Sequence, residues 1–108
     1  MTGTEKQIAY AEKLIKAAKY LAHSGDEISD SVLFVEDVQN NIDTITANAK
    51  ENGMTVDEFI ASVVDDENYL KMWKALTSDN AAEVIDILKP LVDWRSVYHN
   101  SNIVKFED

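Results

Sequence analysis

Between Ile28 and Ala49 the apolar residues Ile28, Val32, Val35, Val38, Ile42, Ile45 and Ala49 follow one another at intervals of 4, 3, 3, 4, 3 and 4. A half-buried strand needs alternation at every second residue. Intervals of three and four match the 3.6-residue turn of a helix and put all seven side chains on one side of it. Valine and isoleucine favour strands when left to themselves, so this helix must draw its stability from burying the seam rather than from propensity. The spacing predicts one helix from about Ser29 to Glu51, stopped by Asn52-Gly53. Other helices are then needed to cover it.

The flanking sequence supplies them. Thr4 and Gln7 form a T-x-x-Q capping box ahead of Ile8, Ala11, Leu14, Ile15, Ala18 and Leu21, which recur at helical spacing, with His23 and Gly25 suited to the helix end. Thr55 and Glu58 form a second capping box, opening a helix with Val56, Phe59, Ile60 and Val63 on its inner face. A break near Asp65 or Asp66 begins a helix carrying Leu70, Trp73 and Leu76. Ser78 or Asp79 caps the next, with Val84, Ile85 and Leu88 inside, and Pro90 is expected to end or kink it near Lys89. "LVDWRSVY" continues as a last helical segment, and "NSNIVKFED" is the one place for a short strand or docked tail. Hydrophobic content of 45% and charge of 28% are values of a folded globule. A chain of 108 residues buries roughly two-thirds of its unfolded surface. No repeat, linker or run of about 18 apolar residues interrupts the pattern. The expected architecture is all-α, one compact domain over residues 1–108 with about five helices.

Twenty acids against ten bases leave a net charge of −10. The excess is concentrated: Asp26 to Glu67 holds twelve acids and Lys50 as its single base, whereas residues 1–25 carry +2 and residues 68–108 carry −1. At about 100° per residue, Asp30, Glu36, Asp37, Asp43 and Glu51 fall on the half of the second helix opposite its seam. A solvated helix back usually mixes signs, since like charges one turn apart repel slightly. Leu33 lies among these acids, within a turn of Asp30, Glu36 and Asp37. Two readings stay open. Leu33 is the apolar centre of an interface formed with Asp30, Glu36, Asp37 and Asp43, or the second helix is central and Leu33 meets a second layer. Such charge repels nucleic acid and anionic membranes, so direct binding to either is not expected and a basic protein is the natural partner. The chain itself is expected as a monomer or homodimer.

Several constellations of chemistry fail on spacing. "DDEN" at 65–68 offers oxygen ligands, but adjacent helical residues diverge and the calcium-loop pattern is missing. His23 and His99 have no paired Cys or His spacing, and Gly3, Gly25 and Gly53 are isolated, so neither a zinc site nor a phosphate-cradling loop is expected. No GxSxG motif is present. Trp73, Trp94, Tyr98 and Phe106 read as core aromatics, and Lys13, Lys16 and Lys19 as a small solvated patch. No metal, cofactor or enzymatic activity is expected. The absence of cysteine suits a reducing cytoplasm.

The stretch "TEKQIAYAEKLIKAA", residues 4–18, resembles the opening helix of small acidic proteins carried by phages and mobile elements of Gram-positive bacteria. The resemblance implies a host-defence antagonist of the anti-CRISPR or anti-restriction type, occupying the nucleic-acid site of its target. It transfers no functional residue. Two classes of function follow: a non-enzymatic inhibitor presenting carboxylates to a basic nucleic-acid-binding protein, and a structural or scaffolding helical module whose acidity serves solubility.

Overall fold

The computed structural model describes residues 1–23, 25 and 28–92. They form six helices: α1 (Glu5–Leu21), α2 (Ser29–Asn40), α3 (Ile42–Glu51), α4 (Val56–Val63), α5 (Glu67–Thr77) and α6 (Ala81–Val92). The architecture is all-α, and no named strand occurs among the described residues. The expected C-terminal strand or tail, and the helical segment beyond Val92, lie outside them.

The long second helix is in fact two. Asn41 leaves helical geometry, with φ −116° and ψ 24°, and serves as both the last cap of α2 and the first of α3. Its side-chain amide donates to the Asp37 carbonyl at 2.8 Å, taking up an acceptor that the helix end exposes. Asn52 does the same to Asn48 at the end of α3, also at 2.8 Å. Asparagine competes with the backbone for hydrogen bonds, which makes it poor inside a helix and useful at its end. The break divides the seam. Ile28, Val32, Val35 and Val38 are buried, Ile45 is half-buried, and Ile42 is 38% exposed. With α1 at 17 residues, α2 shares second place in length with α6 at 12.

The core is shared chiefly by α1, α2, α5 and α6. The α1–α6 contact is the most extensive, followed by α2–α5 and α5–α6. Leu14, Val32, Val35, Met72, Val84, Leu88 and Val92 are fully buried there. Ala11, Ala17 and Ala18 of α1 and Ala81 of α6 are buried as well, and side chains this small let two helix backbones approach closely. Phe34 sets its ring against Tyr69, centroids 5.1 Å apart, fixing α2 on α5. One buried serine joins α1 to α2, the Ser29 hydroxyl donating to the Leu21 carbonyl at 2.6 Å, while the hydroxyl of buried Ser31 turns back to the Ile28 carbonyl at the start of its own helix at 2.7 Å.

To one side, α3 packs against α4 and, less, against α2. Their connection ends α3 with paired bonds from the Met54 amide to the Ala49 carbonyl (2.9 Å) and from the Gly53 amide to that of Lys50 (3.1 Å), with Gly53 at φ 67°. That left-handed position has little steric cost only for glycine. The Trp73 indole N–H donates to Asp57 at 2.8 Å, tying α5 to α4. Within α4 only Ile60 is fully buried, Val56 and Phe59 are half-buried, and Val63 is 62% exposed. Val63 therefore does not belong to an inner face, because α4 turns only one flank to the core.

Four more local expectations meet their test. Both capping boxes form: Thr4 with Gln7 and Thr55 with Glu58 each exchange bonds of 2.9–3.2 Å. Asp66 caps α5 through the amides of Asn68 and Tyr69. The cap of α6 is not Ser78 or Asp79 but Asn80, whose side chain accepts from the Glu83 amide at 3.1 Å; the Ser78 hydroxyl instead accepts from the Asn80 amide. Pro90 stands inside α6, which runs on to Val92. Leu88 and Val92, on either side of it, are both fully buried, so packing holds the turn despite the missing amide.

The chain's start adds a connection that periodicity does not reveal. Thr2 pairs with Asn80 in a parallel bridge: its amide donates to Asp79 at 2.6 Å and its carbonyl accepts from Ala81 at 2.9 Å. Gly3, at φ 138°, allows this, since a Cβ there would meet Ala81 Cβ at 3.0 Å.

The Thr55 amide, and after it the Thr55 side chain, hold the Glu58 carboxyl below the ordinary glutamate range. A group whose pKa is lowered by folding lends stability above its unfolded value, and that contribution fades as pH falls through the folded one. In a ¹³C-detected NMR titration Glu58 should titrate below the ordinary glutamate range, and loss of that depression in Thr55→Ala would trace it to the capping box. In Glu58→Gln the cap should persist at acid pH, as Gln7 already serves the same role in α1.

Candidate protein-interaction surface

On α2 the buried residues Ile28, Ser31, Val32, Val35 and Val38 leave a narrow outer face of Asp30, Leu33, Asp37 and Asn40, all exposed. They stand at i, i+3, i+7 and i+10, a single line along the helix. Leu33 is 37% exposed and lies between Asp30 and Asp37, with Glu36 half-buried at the edge of the line. Asp43 is exposed too, but it belongs to α3, beyond the break at Asn41. The predicted single stripe is thus a line on α2 followed by Asp43 on the next helix.

Splitting the middle of the chain into short helices explains part of its acidity. Asp30, Asp43, Asp57, Glu58 and Glu67 occupy first turns, and Asp66 is a cap. Carboxylates are favoured there by the unpaired amides and the positive end of the helix dipole. Asp37 and Glu51 are the opposite case, standing in the last turns of α2 and α3. The dipole disfavours an anion at that end, and the last turn of α2 carries no base. Nor are these acids neutralised by pairing. The ion pairs among the described residues join Met1 to Asp79 at 3.0 Å and Lys74 to Glu83 at 3.6 Å.

Asp30 also borders a cleft of about 390 Å3 where α2, α5 and α6 meet, with Asp66, Tyr69 and Lys71 in its lining. Asp66 is committed there to capping α5. Among the described residues no group of three or more His, Cys, Asp or Glu is placed to hold a metal ion. No helix of the described residues is long and apolar enough to cross a membrane.

Of the sequence-derived site residues, the fold brings Asp30, Leu33 and Asp37 into one line, sets Glu36 at its edge and moves Asp43 to the neighbouring helix. The periodicity did not mark out Ile42, Met54 and Val63 as exposed; the Asn40-Asn41 pair was the signal that could have done so for Ile42.

These features define the class of protein: an all-α bundle with an acidic, partly apolar outer face. Compared with known proteins, the chain matches no family model, no curated protein and no solved structure.

Proposed function

We propose that the chain is a non-enzymatic acidic binding protein that engages a basic partner through Asp30, Leu33, Glu36, Asp37 and Asp43. In this reading the partner is a nucleic-acid-binding host-defence protein, and the chain is an inhibitor carried by a phage or mobile element. The observation that carries it is Asp37. This carboxylate sits where its own helix disfavours it, has no ion pair among the described residues, and adjoins an exposed leucine. A residue that weakens its own helix while bordering an apolar side chain fits a surface shaped for a cationic partner. Each carboxylate can stand in for a phosphate as counter-charge, and neighbours one helical turn apart lie about 5–6 Å from each other.

A second reading has its own support. The first-turn acids Asp30, Asp43, Asp57, Glu58 and Glu67 serve the helices that bear them, as they would in a scaffolding module that is acidic only for stability and solubility.

Affinity capture from the lysate of a Gram-positive bacterium, eluted with rising salt, separates the two. The inhibitor reading expects a basic nucleic-acid-binding protein to be retained at low salt and released as salt rises, since exposed charges are screened beyond roughly 8–10 Å. Leu33→Ala should weaken retention more than Asp37→Asn does, as the apolar centre of an interface outweighs its rim. Retention of no basic protein at low salt would favour the scaffolding module.

A further inference from the structure

Residues 1–25 carry +2 in a chain of net charge −10, and three of their four lysines stand in the second half of α1. Lys13, Lys16, Tyr20 and His23 follow at i, i+3, i+7 and i+10, on the side of the helix away from buried Ala11, Leu14, Ala18 and Leu21. Ala22 keeps helical geometry past the end of α1, with φ −55° and ψ −32°, so His23 continues the line. Lys16, Tyr20 and His23 are exposed, Tyr20 by 47%, and Lys13 is half-buried. Glu12 flanks the line on the same side as Lys19, seven residues on, so that flank is neutral. None of Lys13, Lys16 and Lys19 forms an ion pair among the described residues.

The exposed line on α2, Asp30, Leu33, Asp37 and Asn40, has the same spacing. Intervals of 3, 4 and 3 read alike from either end. Laid antiparallel, the two lines therefore match position for position: Lys13 on Asn40, Lys16 on Asp37, Tyr20 on Leu33 and His23 on Asp30. A lysine then meets a carboxylate that its own helix disfavours, an exposed ring meets an exposed leucine, and an imidazole meets a second carboxylate. Laid parallel, Lys16 would face Leu33 and Tyr20 would face Asp37. The complementarity selects one orientation.

We propose that α1 of one copy of this chain docks antiparallel on α2 of a second copy. The paired lines are about 15 Å long, which makes a small contact of the weak, transient class. Each copy carries both lines, so the contact is either reciprocal, closing a dimer, or head-to-tail. The net charge of −10 on each copy opposes approach, but its repulsion is screened beyond roughly 8–10 Å at physiological ionic strength. A nucleic acid is a poorer occupant of the lysine line, because the chain as a whole repels it. The inference uses two faces of this chain alone and does not rest on the basic-partner reading. A basic partner on α2 would displace the second copy.

Sedimentation equilibrium at about 1 mM protein and about 0.15 M salt tests it, conditions under which a weak contact is populated. The average mass of the native chain should exceed that of the monomer and rise with concentration. Lys16→Glu and Asp37→Lys each set like charges opposite one another, and each should weaken association at least tenfold. They move the net charge in opposite directions, to −12 and −8, so a loss shared by both does not come from net charge. The chain carrying both exchanges returns to −10, pairs its charges again and should associate like the native one. Tyr20→Ser, which alters no charge, should also weaken association at least tenfold. All three positions are exposed, so far-UV circular dichroism and melting temperature should stay near native. A native chain that remains monomeric would overturn the inference and leave the basic-partner reading intact. Association that survives either single exchange would overturn it by placing the contact elsewhere. If the double exchange failed to restore association, the antiparallel pairing of Lys16 with Asp37 would be overturned.

Discussion

Val35→Asp leaves the chain unfolded at 25 °C. Val35 is fully buried in the middle of α2, among the seam residues that meet the core. A carboxylate placed there has no cation to pair with, and an unpaired buried charge costs several kcal/mol even after the site relaxes. That approaches the whole stability of a small domain, about 5–15 kcal/mol. The contrasting variant is Ile42→Asp. Ile42 shares the seam's spacing but is 38% exposed and stands first in α3. An acid at that position faces the positive end of the helix dipole, so the substitution should change stability by no more than about 1 kcal/mol. Far-UV circular dichroism with urea melts of both variants checks the pair. If Ile42→Asp also unfolded, the seam would have to be buried along its whole length and α2 and α3 would be one helix.

Leu14→Ala is expected to cost about 2–5 kcal/mol and to lower the melting temperature by roughly 10–25 °C. Leu14 is fully buried on α1, which makes with α6 the most extensive helix contact of the fold. Its neighbours along α1 are the buried alanines Ala11, Ala17 and Ala18. These can neither move far nor fill the space, so the cavity should persist. Differential scanning calorimetry gives the number directly. A shift of only a degree or two would mean that α1 and α6 do not pack as closely as described.

Capping chemistry is where the sequence is most readable. Thr4-Gln7, Thr55-Glu58, Asp66 and Asn52-Gly53 each carry their partner within a few residues, and each behaves as its chemistry dictates. The seam is harder. Its 3-and-4 spacing survives the break at Asn41 because a one-residue interruption leaves the apolar residues in phase with their own helices. The pattern records which side of each helix is apolar, not which neighbour covers it. Past Asn41 the main neighbour is α4 rather than the core, and Ile42 emerges into solvent. Val63 escaped for the same reason. The Thr2–Asn80 bridge joins residues 78 positions apart and has no local signature. Ser29 reads as the start of a helix but spends its hydroxyl on the Leu21 carbonyl of the previous one. For the binding surface, the acids were legible as a group. Separating those that serve helix N-termini from Asp37, which serves none, required the helix boundaries.

The most direct measurement concerns the fourfold variant Asp30→Asn, Glu36→Gln, Asp37→Asn, Asp43→Asn. Its melting temperature and its affinity for the captured basic partner are compared with those of the native chain. Removing Asp30 and Asp43 gives up some favourable dipole interaction, removing Asp37 relieves an unfavourable one, and none of the three is buried. The melting temperature should therefore stay within a few degrees, while affinity at low salt falls at least tenfold. Native-like binding by the neutral variant would contradict the assignment of these carboxylates to an interface and leave them as a solvated surface.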